Sequence, residues 1–166
     1  MGFGSMPLWN ITSLLKMFSE VLSRVGRRGI FCRGWHNRTR RTDLYSDNVI
    51  VMDFVDHSWV MKRCCMAIHH GGAGTVAAST SAGIPTIIFP LVLFSDQIFW
   101  AKRIQELEVG HSEVYPLQGL TIQQLEQQIK HCLSPLITTR ARSLSEVIMQ
   151  ENGLENAFKF FMDFTQ

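Results

Sequence analysis

The sequence predicts an α/β domain, a parallel β-sheet with helices on both faces. Three observations lead to that class. Short β-rich runs alternate with stretches of helical period along the chain. The run Val49-Ile50-Val51-Met52 is apolar without alternation, as a strand covered on both faces would be. The segment Met66-Ala67-Ile68-His69-His70 runs directly into Gly71-Gly72-Ala73-Gly74-Thr75 and a small-residue helix, giving strand, glycine turn and helix in succession. A length of 166 residues suits one domain with its own core.

Taken in order, Met1-Gly2-Phe3-Gly4-Ser5-Met6 reads as a glycine-rich loop with no strand ahead of it, and a preceding N-terminal portion is expected to support it. Leu14, Leu15, Phe18, Val21, Leu22 and Val25 recur at three and four, which predicts an amphipathic helix stopped by Gly26. Residues 29–33 form a strand, 34–47 a polar, arginine-rich loop, and 48–55 the next strand, followed by a short helix over 57–63. After the glycine turn a helix is expected over 76–82, closed by Gly83 and Pro85. A strand follows over 86–89 and a helix over 96–107. Thr121 with Gln124 forms a capping box for a helix reaching Leu133, where Pro135 breaks it. Two more helical stretches, 136–152 and 154–164, lie either side of Gly153, and no internal repeat or low-complexity segment is present.

Composition excludes several classes. The net charge of +2 is spread thinly except for Arg24, Arg27, Arg28, Arg33, Arg38, Arg40 and Arg41, and no aromatic-interleaved basic motif accompanies that cluster, so no nucleic-acid partner is expected. The four cysteines lack disulfide spacing, which implies reduced thiols. Cys64, Cys65, His69 and His70 do not form a zinc site if 64 and 65 lie on a strand, because neighbours there point to opposite faces. The longest apolar stretch, 86–94, is interrupted by Pro90 and too short to span a bilayer, so no transmembrane segment is expected.

In an open α/β sheet a ligand sits beyond the carboxyl ends of the strands, where a helix N-terminus offers unpaired N–H groups and partial positive charge. The turn over 71–75 occupies such a place. Glycines let an anion approach the backbone, Gly74 and Thr75 can present amides, and the Thr75 hydroxyl adds a donor, so a diphosphate fits. A tight packing turn would use the same residues. His70 can donate to an anion, or it can be a buried structural histidine. Asp96 and Gln97 pair a carboxylate with an amide, as sugar hydroxyls need, although Asp also favours helix caps. A dinucleotide-dependent dehydrogenase is a weaker fit, since no acidic residue lies at the spacing for ribose.

These residues resemble a known pattern. His69-His70-Gly71-Gly72-Ala73-Gly74-Thr75, Gly83-Ile84-Pro85, Pro90 and Asp96-Gln97-Ile98-Phe99-Trp100 look like the donor signature of family 1 glycosyltransferases, and are most similar to the sterol glucosyltransferases and bacterial antibiotic glycosyltransferases. The loop over 2–6, Phe54-Val55-Asp56-His57-Ser58-Trp59, and the tail around Leu133-Ser134-Pro135 and 151–157 extend the likeness over nearly the whole chain. The arginine-rich stretch over 38–41 and the apolar loop over 91–95 depart from the family.

The resemblance implies a Rossmann-like domain, residues 1–166 forming the C-terminal, donor-binding half of a GT-B fold with the acceptor-binding half outside the chain. It implies a UDP-sugar donor, most readily UDP-glucose, and transfer of the hexose to a hydroxyl of a lipid- or sterol-like or other small acceptor. By the same resemblance His70, Gly72, Gly74 and Thr75 hold the diphosphate, with Gly4 and Ser5 approaching from the first loop. Asp96 and Gln97 take the hexose, Phe54 and Val55 the uracil, and Trp35 stacks near the base. The general base is expected in the acceptor half, so turnover is expected to need that half as a domain or subunit. No metal and no cofactor are expected, and the location is expected to be cytoplasmic, with room for peripheral membrane contact. The alternative is a non-catalytic nucleotide-sugar-binding or regulatory partner.

Overall fold

A computed structural model describes residues 1–4, 10–34, 46–92, 94–111, 117 and 119–164. Helix α1 (Ile11–Arg24) starts where the Asn10 side chain accepts the Ser13 amide, and it buries Leu14, Leu15, Phe18, Val21 and Leu22 on one stripe. Strands β1 (Gly29–Cys32) and β2 (Val49–Met52) pair in parallel. A short helix α2 (His57–Val60) runs into a tighter turn over Met61–Arg63 and then into β3 (Ala67–His69). Helix α3 (Ala73–Ser81) leads to β4 (Thr86–Ile88), which pairs in parallel with β3. Helices α4 (Asp96–Glu106), α5 (Ile122–Cys132), α6 (Pro135–Gln150) and α7 (Gly153–Phe164) complete the chain.

The two strand pairs form one sheet through the residue that sequence placed in a loop. Gly2 bridges Cys32 on one side and His69 on the other, both in parallel, so residues 1–3 lie in the middle of the sheet. Gly110 bridges Thr86 at the far edge. The resulting order is β2, β1, Gly2, β3, β4, Gly110, with every pairing between these neighbours parallel.

Alternation along the strands sorts side chains into two cores. Phe31, Val49, Ile68 and Ile87 pack with α1 and with Leu125, Ile129 and Cys132 of α5. On the other face Ile88 packs with Val76 of α3, Ala101 and Ile104 of α4, and Ala141 of α6. The expected cover on both faces is present over β3 and β4. Over β2 it is one-sided among the described residues, since Ile50 is 65% exposed while Val49 is buried.

Local boundaries differ from the sequence reading for identifiable reasons. Helix α3 begins at Ala73 rather than at Val76, because Thr75 and Val76 amides already bond back to the Gly72 carbonyl. Pro135 opens α6 at its first turn, where its missing N–H has no intrahelical partner to lose. The β2 strand stops at Met52, with Asp53 paired to Arg33 beyond it. Cys64 and Cys65 precede β3 instead of lying on it, so the strand argument against a zinc site does not apply. Among the described residues no group of three or more His, Cys, Asp or Glu side chains can hold a metal ion, and all four cysteines are unbridged thiols.

Phe31→Ala is expected to cost about 3–5 kcal/mol, as a fully buried aromatic does. Ile50→Thr, on the uncovered face of the same strand pair, is expected to stay within about 0.5 kcal/mol. Denaturant titration of both variants checks the contrast.

Candidate functional site

The site forms at the carboxyl end of β3. His69 is buried on the face toward α3, and its Nδ1 accepts the Gly71 amide at 3.0 Å. Nδ1 must therefore be unprotonated, which puts the single proton on Nε2, 3.5 Å from Oγ of Ser79. Ser79 in turn donates to the Val76 carbonyl. Burial, reinforced by smaller contributions from His70, the N-terminal amine and His57 in the same direction, lowers the His69 pKa to about 3. The imidazole is a neutral strut between strand and turn.

Gly71 has φ +94°, a conformation that L side chains rarely adopt, and it packs on Ile88 and on the Gln97 backbone at the start of α4. Gly72 is the N-cap residue of α3 and supplies no side-chain cap. The Ala73 and Gly74 amides are thereby left without a side-chain cap at the positive end of a nine-residue helix, whereas the Thr75 amide, expected to face a ligand, already donates to the Gly72 carbonyl.

His70 lies half-buried between two glycines. A Cβ at Gly72 would fall 2.7 Å from its Nε2, and one at Gly4 would fall 3.3 Å from its Cε1. Its Nδ1 is buried with no hydrogen-bond partner among the described residues. Burial lowers its pKa, and the Asp96 carboxylate works in the opposite direction. At neutral pH it is a one-proton donor beside the uncapped helix end.

Ser95, not Asp96, is the N-cap of α4, accepting the Gln97 amide at 3.3 Å. Asp96 thus stands exposed in the first turn without a capping duty. Gln97 is 6% exposed, and its Oε1 accepts the amides of Leu91 and Val92 at 2.8 and 3.1 Å. That carbonyl ties down the loop leaving β4.

One cavity of about 870 Å³ brings Gly4, Phe54, Val55 and Thr75 together. Phe54 is 80% exposed at its rim. Asp56 caps α2 by accepting from Ser58 and Trp59, and hydrogen bonds from Ser58 are the first reason its pKa is lowered. His57 also lines the cavity and was not singled out by sequence reasoning. Its position two residues past Val55, at a helix start near the strand ends, was the available signal. Ser5 and Trp35 lie outside the described residues.

An open parallel sheet with an uncapped helix and a cavity that reaches its carboxyl edge is the arrangement of a class, the C-terminal domain of GT-B glycosyltransferases, and solved structures share that fold. The glycosyltransferase of kitacinnamycin superposes with a TM-score of 0.83 at 18% identity, covering 98% of this chain and 41% of that one. The calicheamicin glycosyltransferase CalG4 gives 0.80 at 16% identity, covering 98% and 42%. The chain belongs to the family described as Erythromycin biosynthesis protein CIII-like, C-terminal domain, whose model matches residues 35–152. It is 34% identical over 160 residues to a sterol 3-beta-glucosyltransferase of Arabidopsis thaliana, covering 96% of this chain and 26% of that protein. It is 37% identical over 144 residues to an uncharacterized glycosyltransferase of Mycobacterium tuberculosis (strain ATCC 25618 / H37Rv), covering 87% and 33%. The chain therefore spans about a quarter to a third of the length of these relatives. Among the described residues no helix is long and apolar enough to cross a membrane.

The state of His69 sets a pH dependence. Its pKa is 6.5 unfolded and about 3 folded, so its contribution is complete above 6.5 and is lost as pH falls toward 3. The loss is at most about 5 kcal/mol. His69→Asn, whose Oδ1 can still accept the Gly71 amide without titrating, is expected to flatten that limb. Thermal denaturation of both proteins between pH 7 and 4 checks it.

Proposed function

We propose that the chain is the donor-binding half of a UDP-sugar-dependent glycosyltransferase. The transferred group is a hexose, glucose by preference, and the acceptor a hydroxyl on a lipid- or sterol-like or other small molecule. Gly74 carries the reading. It is exposed, its φ is unexceptional, and a Cβ there would meet nothing within 4 Å. No contact within the described chain asks for glycine in the first turn of α3, where alanine favours the helix. Close approach of a ligand to the bare backbone supplies the missing reason.

The chemistry follows from charge. As the sugar leaves, negative charge grows on the nucleoside diphosphate, and fixed donors aimed there lower the barrier. The Ala73 and Gly74 amides, the Thr75 hydroxyl and His70 are the donors in this reading. Asp96 and the Nε2 end of Gln97 then face the hexose, and Phe54 with Val55 the base. The base that deprotonates the acceptor hydroxyl belongs to the acceptor side, and turnover requires the polypeptide that carries it. Support comes from the relatives: sterol glucosyltransferases among the similar sequences, and among the similar folds VinC, solved in complex with DTDP, with a TM-score of 0.67.

Calorimetric titration is expected to show binding of UDP and UDP-glucose and none of a nicotinamide dinucleotide; the reverse preference would sink the proposal. Gly74→Ala separates ligand from fold. It is expected to stabilise the protein by about 0.5–1 kcal/mol, as alanine does in a helix. It is also expected to weaken UDP by about 1–3 kcal/mol through hindered amides. Unchanged affinity would remove the main support for the diphosphate site. His70→Ala is expected to weaken UDP by about 1.5–3 kcal/mol, and a fall in stability with affinity intact would make it a core histidine instead.

Asp96→Ala tests the sugar. It is expected to cost UDP-glucose about 1–3 kcal/mol while plain UDP is nearly unaffected. Gln97→Ala cannot serve alone, because Leu91 and Val92 lose their acceptor as well. Equal loss of both ligands in Asp96→Ala would withdraw the sugar assignment.

A further inference from the structure

Gly34, Gly4 and His70 follow one another along the carboxyl edge of the sheet, each just past the end of its own segment: β1, the stretch through Gly2, and β3. No side chain separates the first two. A Cβ on Gly34 would overlap the Gly4 carbonyl oxygen and fall 3.0 Å from the carbonyl carbon and 3.5 Å from the Gly4 Cα. Gly4 in turn lies against the rim of the His70 ring that carries Cε1 and Nε2, and Gly72 closes on the same rim from the start of α3. Main chain, main chain and imidazole thus form one line of contact.

The line is fastened at every member. The Arg33 amide donates to the Met52 carbonyl at 2.8 Å and its guanidinium pairs with Asp53, which ties the residue before Gly34 to the end of β2. Ahead of Gly4, the Gly2 amide donates to the Ile68 carbonyl at 3.1 Å and the Met1 carbonyl accepts the Cys32 amide at 2.7 Å. His69 is held by the Gly71 amide, and the Gly72 carbonyl accepts the Thr75 and Val76 amides. A group added at Gly34 therefore meets main chain that is anchored nearby, and a close-packed contact of that kind passes a displacement on. His70 is the member with least to resist it. Its Nδ1 has no hydrogen-bond partner among the described residues, so packing orients the ring.

Backbone angle alone does not account for glycine at position 34. Gly34 has φ +62°, but Gly26 has φ +63° and a Cβ there would meet nothing within 4 Å. Gly26 shows what the angle requires by itself, and Gly34 carries a second requirement in the Gly4 contact. We infer that Gly34 is a positioning residue for His70, acting through Gly4: its bare Cα lets the Gly4 main chain settle where the His70 ring stands between Gly4 and Gly72. The effect on ligand rests on the donor-site reading, because a hydrogen bond from His70 to a phosphate weakens steeply as the ring turns away. The placement of the ring does not rest on it.

The test compares Gly34→Ala, Gly34→Asn and Gly26→Ala in the full chain. Alanine carries the same left-handed penalty at 26 and 34, whereas asparagine tolerates that angle and still brings a Cβ. The first readout is the Cε1–H signal of His70 in the ligand-free protein, assigned by its loss in His70→Ala. Both Gly34 variants are expected to shift it, Gly26→Ala to leave it in place, and the exposed His131 to keep its signal in all three. The second is UDP affinity, expected to be at least about tenfold weaker in the Gly34 variants than in Gly26→Ala. An unmoved His70 signal in folded Gly34 variants would overturn the inference, as would an equal shift in Gly26→Ala. Should the Gly34 variants fail to fold, the unaltered chain decides: nuclear Overhauser contacts are expected from the Gly34 α-protons to those of Gly4, and from those of Gly4 to the His70 Cε1 proton. Absence of either would overturn it too. A shifted His70 signal with unchanged UDP affinity would uphold the positioning of the ring and count against the donor-site reading instead.

Discussion

The hydrogen bond from the Gly71 amide to Nδ1 of His69 fixes the direction in which β3 hands over to α3. A buried side chain on the last residue of the strand thereby holds the first residue of the turn, and Ser79, one helical stretch later, closes the same group from the other side. The arrangement works only with a neutral imidazole, and burial enforces that state. With the turn held there, Gly71 sits against the start of α4 and Gly72 against the His70 ring, so two helix N-termini and one histidine converge. If the turn moved, all three would move with it.

The glycines around this point serve different physical ends that a sequence writes identically. Gly71 is required by its backbone angle and by close packing. Gly72 has an ordinary angle and is required by the ring beside it. Gly74 is required by neither. A glycine-rich motif is thus partly internal carpentry, and only the glycine that remains after the structural reasons have been subtracted supports the proposed ligand contact.

Much of the architecture was legible because it is periodic or carried by local chemistry. The apolar stripe of α1, the Thr121–Gln124 capping box and the strand–turn–helix around residue 71 all emerge as read. The closeness of Gly4, His70 and Gly72, three residues of the proposed site, was legible for the same reason. What stayed hidden depends on distant partners. Gly2 reads as loop because a strand partner on each side, thirty and sixty-seven residues away, decides its pairing. His69 reads as the less interesting of two histidines because its value lies in where its ring nitrogens point. Gln97 reads as a ligand residue, and the second duty of its side chain, whose carbonyl accepts from Leu91 and Val92, was not legible.

The capping of α4 by Ser95 has an evolutionary corollary. A helix whose terminus is secured by one residue leaves the next position at liberty to vary, because exchanging that neighbour does not unfasten the backbone. Position 96 is such a neighbour, exposed and adjoining the His70 turn. If it does face the sugar, drift there can explore new donor preferences while the scaffold stays intact. In this domain, specificity and foldability are then assigned to consecutive residues, and selection can act on one without disturbing the other.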